Sequence, residues 1–131
     1  MKKGEPTKIA VLGASGYTGE ELVRLLLRHP HAELVAVSSR QYVGKTVAEI
    51  FPRTSSYSVA KALQFSEAAP EKIAAVAEIV FLALPHGVAV EFAGPLLDAG
   101  ARVIDLSADF RIKNDAHYFT TPVRTAMGME A

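Results

Sequence analysis

Ile9-Ala10-Val11-Leu12-Gly13-Ala14-Ser15-Gly16-Tyr17-Thr18-Gly19 is the stretch that decides how this chain folds. A short apolar run enters a glycine turn. Residues 20–29, which follow, begin with Glu20 and Glu21 and continue with a broad leucine face. That succession predicts strand, tight turn, helix. Gly13 lets the backbone leave the strand sharply, Gly16 lets an anion approach the main chain without meeting a Cβ, and Gly19 lets the helix pack closely on the sheet. Amides at a helix N-terminus have no partner within the helix and sit at the positive end of its dipole, so the turn forms a phosphate site. The glycines are spaced G-x-x-G-x-x-G rather than G-x-G-x-x-G, so the agreement with dinucleotide turns is one of mechanism and not of strict pattern. A turn that only joins a strand to a helix is the plain alternative.

Working outward, Pro30 stops the helix and Leu34-Val35-Ala36-Val37 reads as a second buried strand, which completes a βαβ unit. The end of that strand is where such folds choose between cofactors: an acid there binds the ribose hydroxyls of NAD, whereas small polar residues with an arginine admit the 2′-phosphate of NADP. Here the text is Ser38-Ser39-Arg40, with no acid. An arginine pairs a phosphate through two parallel charge-assisted hydrogen bonds; a solvated loop arginine is the alternative. Gly44-Lys45-Thr46 resembles the end of a triphosphate-binding loop, but that pattern needs a glycine where Ser39 stands, and the match fails.

Composition narrows the function classes. The chain has 131 residues, enough for one domain with a real core, and 50% of them are hydrophobic. Lys and Arg total 14, as do Asp and Glu, so no basic excess asks for nucleic acid or a membrane surface. Cysteine is absent, which removes a disulfide framework, a thiolate metal site and a cysteine nucleophile from these residues. The N-terminus lacks the apolar core of a secretory signal, and a cytoplasmic protein is expected.

Further along, residues 44–51 suggest a short helix ending at Pro52, residues 53–60 a polar loop, 62–65 a modest third strand and 71–77 a short helix. Residues 78–84 are the clearest strand, closed by Pro85-His86-Gly87. Residues 88–99 suggest a helix that Pro95 must kink or split, capped by Gly100, and 102–106 make a fifth strand. Five strands alternating with helices predict an α/β, Rossmann-like doubly wound parallel sheet with helices on both faces. Ligands of such sheets bind beyond the carboxyl ends of the strands, so the loops at 13–19, 84–87 and 107–111 are expected to converge. His86 follows a strand end and could act as an acid or base, but without a nucleophile beside it a hydrogen-bonding role is the better reading. Asp105 and Asp109 bracket Ser107 and are expected to fix their loop rather than to exchange protons. Tyr17 is either a stacking platform or packing, and His29, His31 and His117 have no spacing for a shared metal.

Three motifs together, Gly13-Ala14-Ser15-Gly16-Tyr17-Thr18-Gly19, Leu84-Pro85-His86-Gly87 and Ile104-Asp105-Leu106-Ser107-Ala108-Asp109-Phe110-Arg111, resemble the N-terminal, NADP-binding part of the N-acetyl-γ-glutamyl-phosphate reductases. The resemblance runs to about Tyr118, which sets an expected NADP-binding domain over 1–118 and a tail over 119–131. It implies NADPH-dependent reduction of an acyl phosphate to a semialdehyde through a cysteine thioester, a chemistry shared with aspartate-semialdehyde dehydrogenase; aminoadipyl phosphate reductases are equally close in wording. By position, Gly13, Ser15, Gly16, Tyr17, Thr18 and Gly19 take the pyrophosphate, Ser39 and Arg40 the 2′-phosphate with Ser38 beside them in the cofactor site, and Leu84, Pro85, His86, Gly87 and Ser107 the nicotinamide side. A thioester needs a thiolate, so the chain is expected to be an excised or truncated cofactor domain that binds NADP(H) without catalysing. The acyl phosphate would bind only with a second domain, and the full-length family enzyme is expected to be a homo-oligomer. A non-catalytic NADP-binding module is the competing expectation.

Overall fold

The computed structural model describes residues 5–85 and 87–106. Five parallel strands, β1 (Thr7–Leu12), β2 (Ala32–Ser38), β3 (Phe65–Ser66), β4 (Ile79–Leu82) and β5 (Arg102–Asp105), form one sheet in the order β3-β2-β1-β4-β5. The helices are α1 (Tyr17–Arg28), α2 (Val47–Ile50), α3 (Ser58–Ala62), α4 (Pro70–Val76) and α5 (Ala89–Asp98). This is the doubly wound sheet expected from the alternation of apolar runs. Chain order reverses between β1 and β4, and the carboxyl ends of those two strands define the switch point.

Alternation along β1 divides the core. Ile9 and Val11 face a cluster built with Val23 and Leu26 of α1, Val47 of α2, Ala60 of α3 and Phe65 of β3; Ala10 and Leu12 face a second cluster with Ile73 of α4 and Ala89, Ala93 and Leu96 of α5. Strands buried on both sides account for their nearly unbroken apolar text. Right-handed crossovers then send the helices of the two directions of strand progression to opposite faces.

Four local expectations change. α1 starts at Tyr17, with Gly16 as its N-cap, so Tyr17, Thr18 and Gly19 are its first turn and not part of the loop. Residues 53–60, read as loop, carry a 3-10 turn at Pro52–Thr54 and the start of α3. The third strand is shorter and later than 62–65, because that segment spends its backbone elsewhere. Val47 donates to the Leu63 carbonyl at 2.9 Å and Phe65 to the Lys45 carbonyl at 2.8 Å, leaving only Phe65–Ser66 to pair with β2. Pro95 does not split α5, which runs unbroken from Ala89 to Asp98. The residue before a proline is normally pushed out of helical geometry by its own Cβ, and here it is Gly94. The helix closes as expected at Gly100, whose amide bonds the Leu97 carbonyl while that of Ala101 bonds Leu96, both at 3.0 Å.

Candidate cofactor site

The glycine turn is held from two sides at the switch point. Toward β4, Gly13 adopts φ +79°, and a Cβ built on it would lie 2.6 Å from the Ala83 carbonyl oxygen and 2.9 Å from Leu84 Cδ2. Both the handedness of the turn and the closeness of β4 therefore require glycine. Toward β2, Ser38 takes two amides: its Oγ accepts from Gly13 N–H at 3.2 Å and its carbonyl from Ala14 N–H at 2.9 Å. One turn later, Gly19 rests on the turn itself. Its Cβ would fall 2.7 Å from the Cα, C and O of Ala14, so the close packing is helix against turn and not helix against sheet.

Gly16 differs from both. Its φ is −79°, open to any residue, and an added Cβ would meet nothing nearer than the Gly13 carbonyl at 4.0 Å. Neither strain nor packing by any described residue calls for glycine there. α1 has no side-chain cap, which leaves the amides of its first turn to a ligand or to water.

A cleft of about 610 Å³ opens along the strand ends. Gly13, Ser15, Ser38, Ser39 and Arg40 line it on the β1 and β2 side, and Leu84 and Pro85 on the β4 side. The structure thus gathers half of the expected cofactor-binding residues into one concavity. Gly16, Tyr17, Thr18, Gly19 and Gly87 are not among its lining residues. Tyr17 is 85% exposed and is not part of the described core. His86 and Ser107, together with Asp109 and Arg111, lie outside the described residues. His29 and His31 are exposed, as expected, with the His31 amide donating to His29 Nδ1.

Both serines have work inside the protein. Ser39 is buried, and its Oγ accepts from the amides of Gln41 at 3.2 Å and Tyr42 at 3.3 Å, so only its hydroxyl hydrogen is left for a ligand. This turn sets the direction of Arg40, which is exposed. Four further lining residues escaped the sequence: Glu67 and Ala68 beyond β3, Val88 at the N-cap of α5 and Phe92 within it. The last two supply an apolar wall with Leu84 and Pro85. Their only sequence signal was the apolar face of the helix following the clearest strand.

The chain matches the family model described as "Semialdehyde dehydrogenase, NAD binding domain" over residues 8–127. It belongs to the semialdehyde dehydrogenase family. Among curated members, it is 48% identical to the N-acetyl-gamma-glutamyl-phosphate reductase of Akkermansia muciniphila over 129 residues, 95% of this chain and 37% of that protein. It is 46% identical to the LysW-L-2-aminoadipate/LysW-L-glutamate phosphate reductase of Saccharolobus solfataricus, covering 87% of this chain and 32% of that one. Among solved structures it resembles aspartate semialdehyde dehydrogenase with NADP from Candida albicans, at TM-score 0.67 and 26% identity over 80% of this chain and 30% of the other. The chain therefore spans about a third of the length of these relatives. Family membership bears out the resemblance and the cofactor class read from the motifs. No helix among the described residues is long and apolar enough to cross a membrane.

Proposed function

We propose that this chain is the NADP(H)-binding part of a reductase that converts N-acetyl-glutamyl 5-phosphate to its semialdehyde, in arginine biosynthesis. The observation that carries the cofactor choice is Arg40, which lines the cleft at the end of β2 where no acid is present. The candidate site fits the dinucleotide: the cleft passes from the glycine turn to Arg40, and Gly16 leaves room at the helix end that no described residue uses. The Candida albicans relative was solved with NADP. The substrate follows the curated relatives, among which aminoadipate and glutamate phosphates both occur, so an aminoadipyl or aspartyl phosphate is the neighbouring choice.

NADPH supplies hydride when bound. Within that division of labour, the amides of the α1 N-terminus would hold the pyrophosphate, those of Gly13 and Ala14 being engaged by Ser38, and Arg40 would clamp the 2′-phosphate with Ser39 shaping its loop. Leu84, Pro85, Val88 and Phe92 give the opposite wall an apolar lining, and the family resemblance assigns His86, Gly87 and Ser107 to the nicotinamide side. The thioester step needs a cysteine, and these 131 residues contain none. The chain alone therefore binds cofactor without turnover, with residues 1–118 as the binding domain and 119–131 as a tail. A non-catalytic NADP-binding module is supported by the same missing thiol. Balanced charge supports the absence of a nucleic-acid or membrane partner, and the family resemblance supports a cytoplasmic enzyme that is homo-oligomeric in its full-length form.

Calorimetric titration with NADPH and NADH at equal ionic strength tests the reading. A charged hydrogen-bonded pair contributes about 1.5–3 kcal/mol, so NADPH should bind about 10- to 100-fold tighter, and Arg40→Ala should remove the preference. No binding of either by a folded chain would overturn it.

A further inference from the structure

Resting on the NADP reading, a second residue of the cleft can be assigned a part in recognition. β2 and β3 are parallel neighbours with Ser38 paired to Ser66, and Ser39 donates its amide to the Ser66 carbonyl at 3.1 Å. The segments leaving the two strands therefore run side by side from one end of the sheet. Arg40 lies two residues beyond Ser38, Glu67 one beyond Ser66, and both line the cleft. Both are exposed, and neither has an ion pair or side-chain hydrogen bond among the described residues. An arginine and a glutamate thus face one cavity without neutralising each other.

Sheet order says what each meets. Strands are spaced about 4.8 Å apart, so passing from β1 to β2 to β3 moves outward in steps. A dinucleotide laid across those ends runs in the same sense, with pyrophosphate at Gly13, ribose phosphate at Arg40 and base at the end of β3. An ionised carboxylate only accepts hydrogen bonds. At the adenosine end the 2′-phosphate is itself an acceptor and belongs to Arg40, whereas the 6-amino group of adenine is a donor directed away from the ribose. Ala68, half-buried beside Glu67 and lining the same cleft, offers the base a small apolar contact. We propose that Glu67 reads the base, its carboxylate accepting a hydrogen bond from the adenine 6-amino group, and thereby makes the site specific for adenine dinucleotides.

Nicotinamide hypoxanthine dinucleotide phosphate, in reduced form, probes this contact, since it differs from NADPH by a carbonyl oxygen in place of the amino group and by the proton this places on N1. Titrating both into the wild-type chain, Glu67→Gln and Glu67→Ala separates the outcomes. The wild type should prefer NADPH by roughly tenfold or more, because the analogue sets an acceptor against an acceptor. Gln, which can donate or accept, should bring the two affinities to within about twofold, and Ala should abolish the preference by weakening NADPH. A wild type that binds both equally, or a preference that survives Glu67→Ala, overturns the assignment. So does a uniform gain of both ligands in Glu67→Gln, which would make Glu67 only a repulsive charge. Failure of NADPH itself to bind to a folded wild type defeats the NADP reading, and this assignment with it. That result is distinct from loss of base discrimination alone.

Discussion

The glycine turn at 13–19 and the exit from β2 and β3, around Arg40 and Glu67, lie along one cleft but are determined in opposite ways. In the turn, protein contacts protein almost everywhere: Gly13 against Ala83, Ser38 on two amides, Gly19 on Ala14. At the exit, the two charged side chains find no partner in the described fold. Substitutions in the turn should therefore be read first in stability, and those at the exit in binding. Gly16 is the exception that sharpens the rule, since it lies in the turn but no described residue makes a demand on it.

The largest effect is expected at Gly13. Gly13→Ala must hold a left-handed conformation and push back the Ala83 carbonyl, which cannot rotate away as a side-chain tip could. Strain and overpacking together should cost about 3 kcal/mol or more. Next comes Gly19→Ala, where the usual sign is reversed. Alanine in a helix interior normally gains about 1 kcal/mol over glycine, but contact with the Ala14 backbone should outweigh that and leave a net loss of about 1–2 kcal/mol. Urea melts of the two variants check both values. A stabilised Gly19→Ala would show that the helix can slide off the turn, and would break the contrast drawn here.

Ser38→Ala should cost about 1 kcal/mol, because the Gly13 amide loses its side-chain acceptor while the Ala14 amide keeps its bond to the residue-38 carbonyl. Gly16→Ala should cost only about 0.5–1 kcal/mol, the difference between a good and a poor N-cap. Its affinity for NADPH should nonetheless fall by about tenfold or more, since the added methyl occupies ground assigned to the pyrophosphate. Paired melts and titrations distinguish the two variants. Unchanged NADPH affinity in Gly16→Ala would move the phosphates away from this helix end.

How much of this could be read from the sequence follows the same divide. The turn was legible because its determinants are local: the strand, the glycines and the helix face lie within one continuous run. The doubly wound parallel class followed from the alternation of strands and helices, and Ser38-Ser39-Arg40 is legible because it ends a strand whose own text is plainly apolar. Glu67 and Ala68 were not legible, because β3 is only Phe65–Ser66. Its position comes from long-range pairing with β2 and with residues 44–47, which no local pattern announces. The helix start was misplaced at 20 because Tyr17, Thr18 and Gly19 are weak helix formers. Packing of Gly19 onto Ala14 overrides that preference. Arg40 is legible as a charge at a strand end, whereas the part the Ser39 hydroxyl plays in shaping that loop is not. A side chain bonding its own neighbouring amides and one bonding a phosphate present the same letter in the sequence.

The smallest effect concerns how the exit side is held in place. Residues 44–47 fix β3 by pairing with 63–65, and α2 begins there with a capping box: the Thr46 amide and hydroxyl both donate to Glu49 Oε2, at 2.7 and 3.1 Å, while Thr46 Oγ1 accepts from the Glu49 amide. The Thr46 amide, then its hydroxyl, hold the Glu49 carboxyl below its ordinary 4.5. A carboxyl whose pKa is lower in the folded state stabilises fully above the unfolded value and loses that contribution as the pH falls through the folded one. Glu49→Gln keeps an acceptor but not the charge, so its melting temperature should lie slightly below wild type at neutral pH. The gap should close as the pH is taken below 4.5, and high salt should narrow it because Glu49 is on the surface. The deficit of Gly19→Ala, being steric, should persist unchanged across the same range. If instead the Glu49→Gln gap survives in acid, the box acts through hydrogen-bond geometry alone, and the exit side is held in place as sterically as the turn.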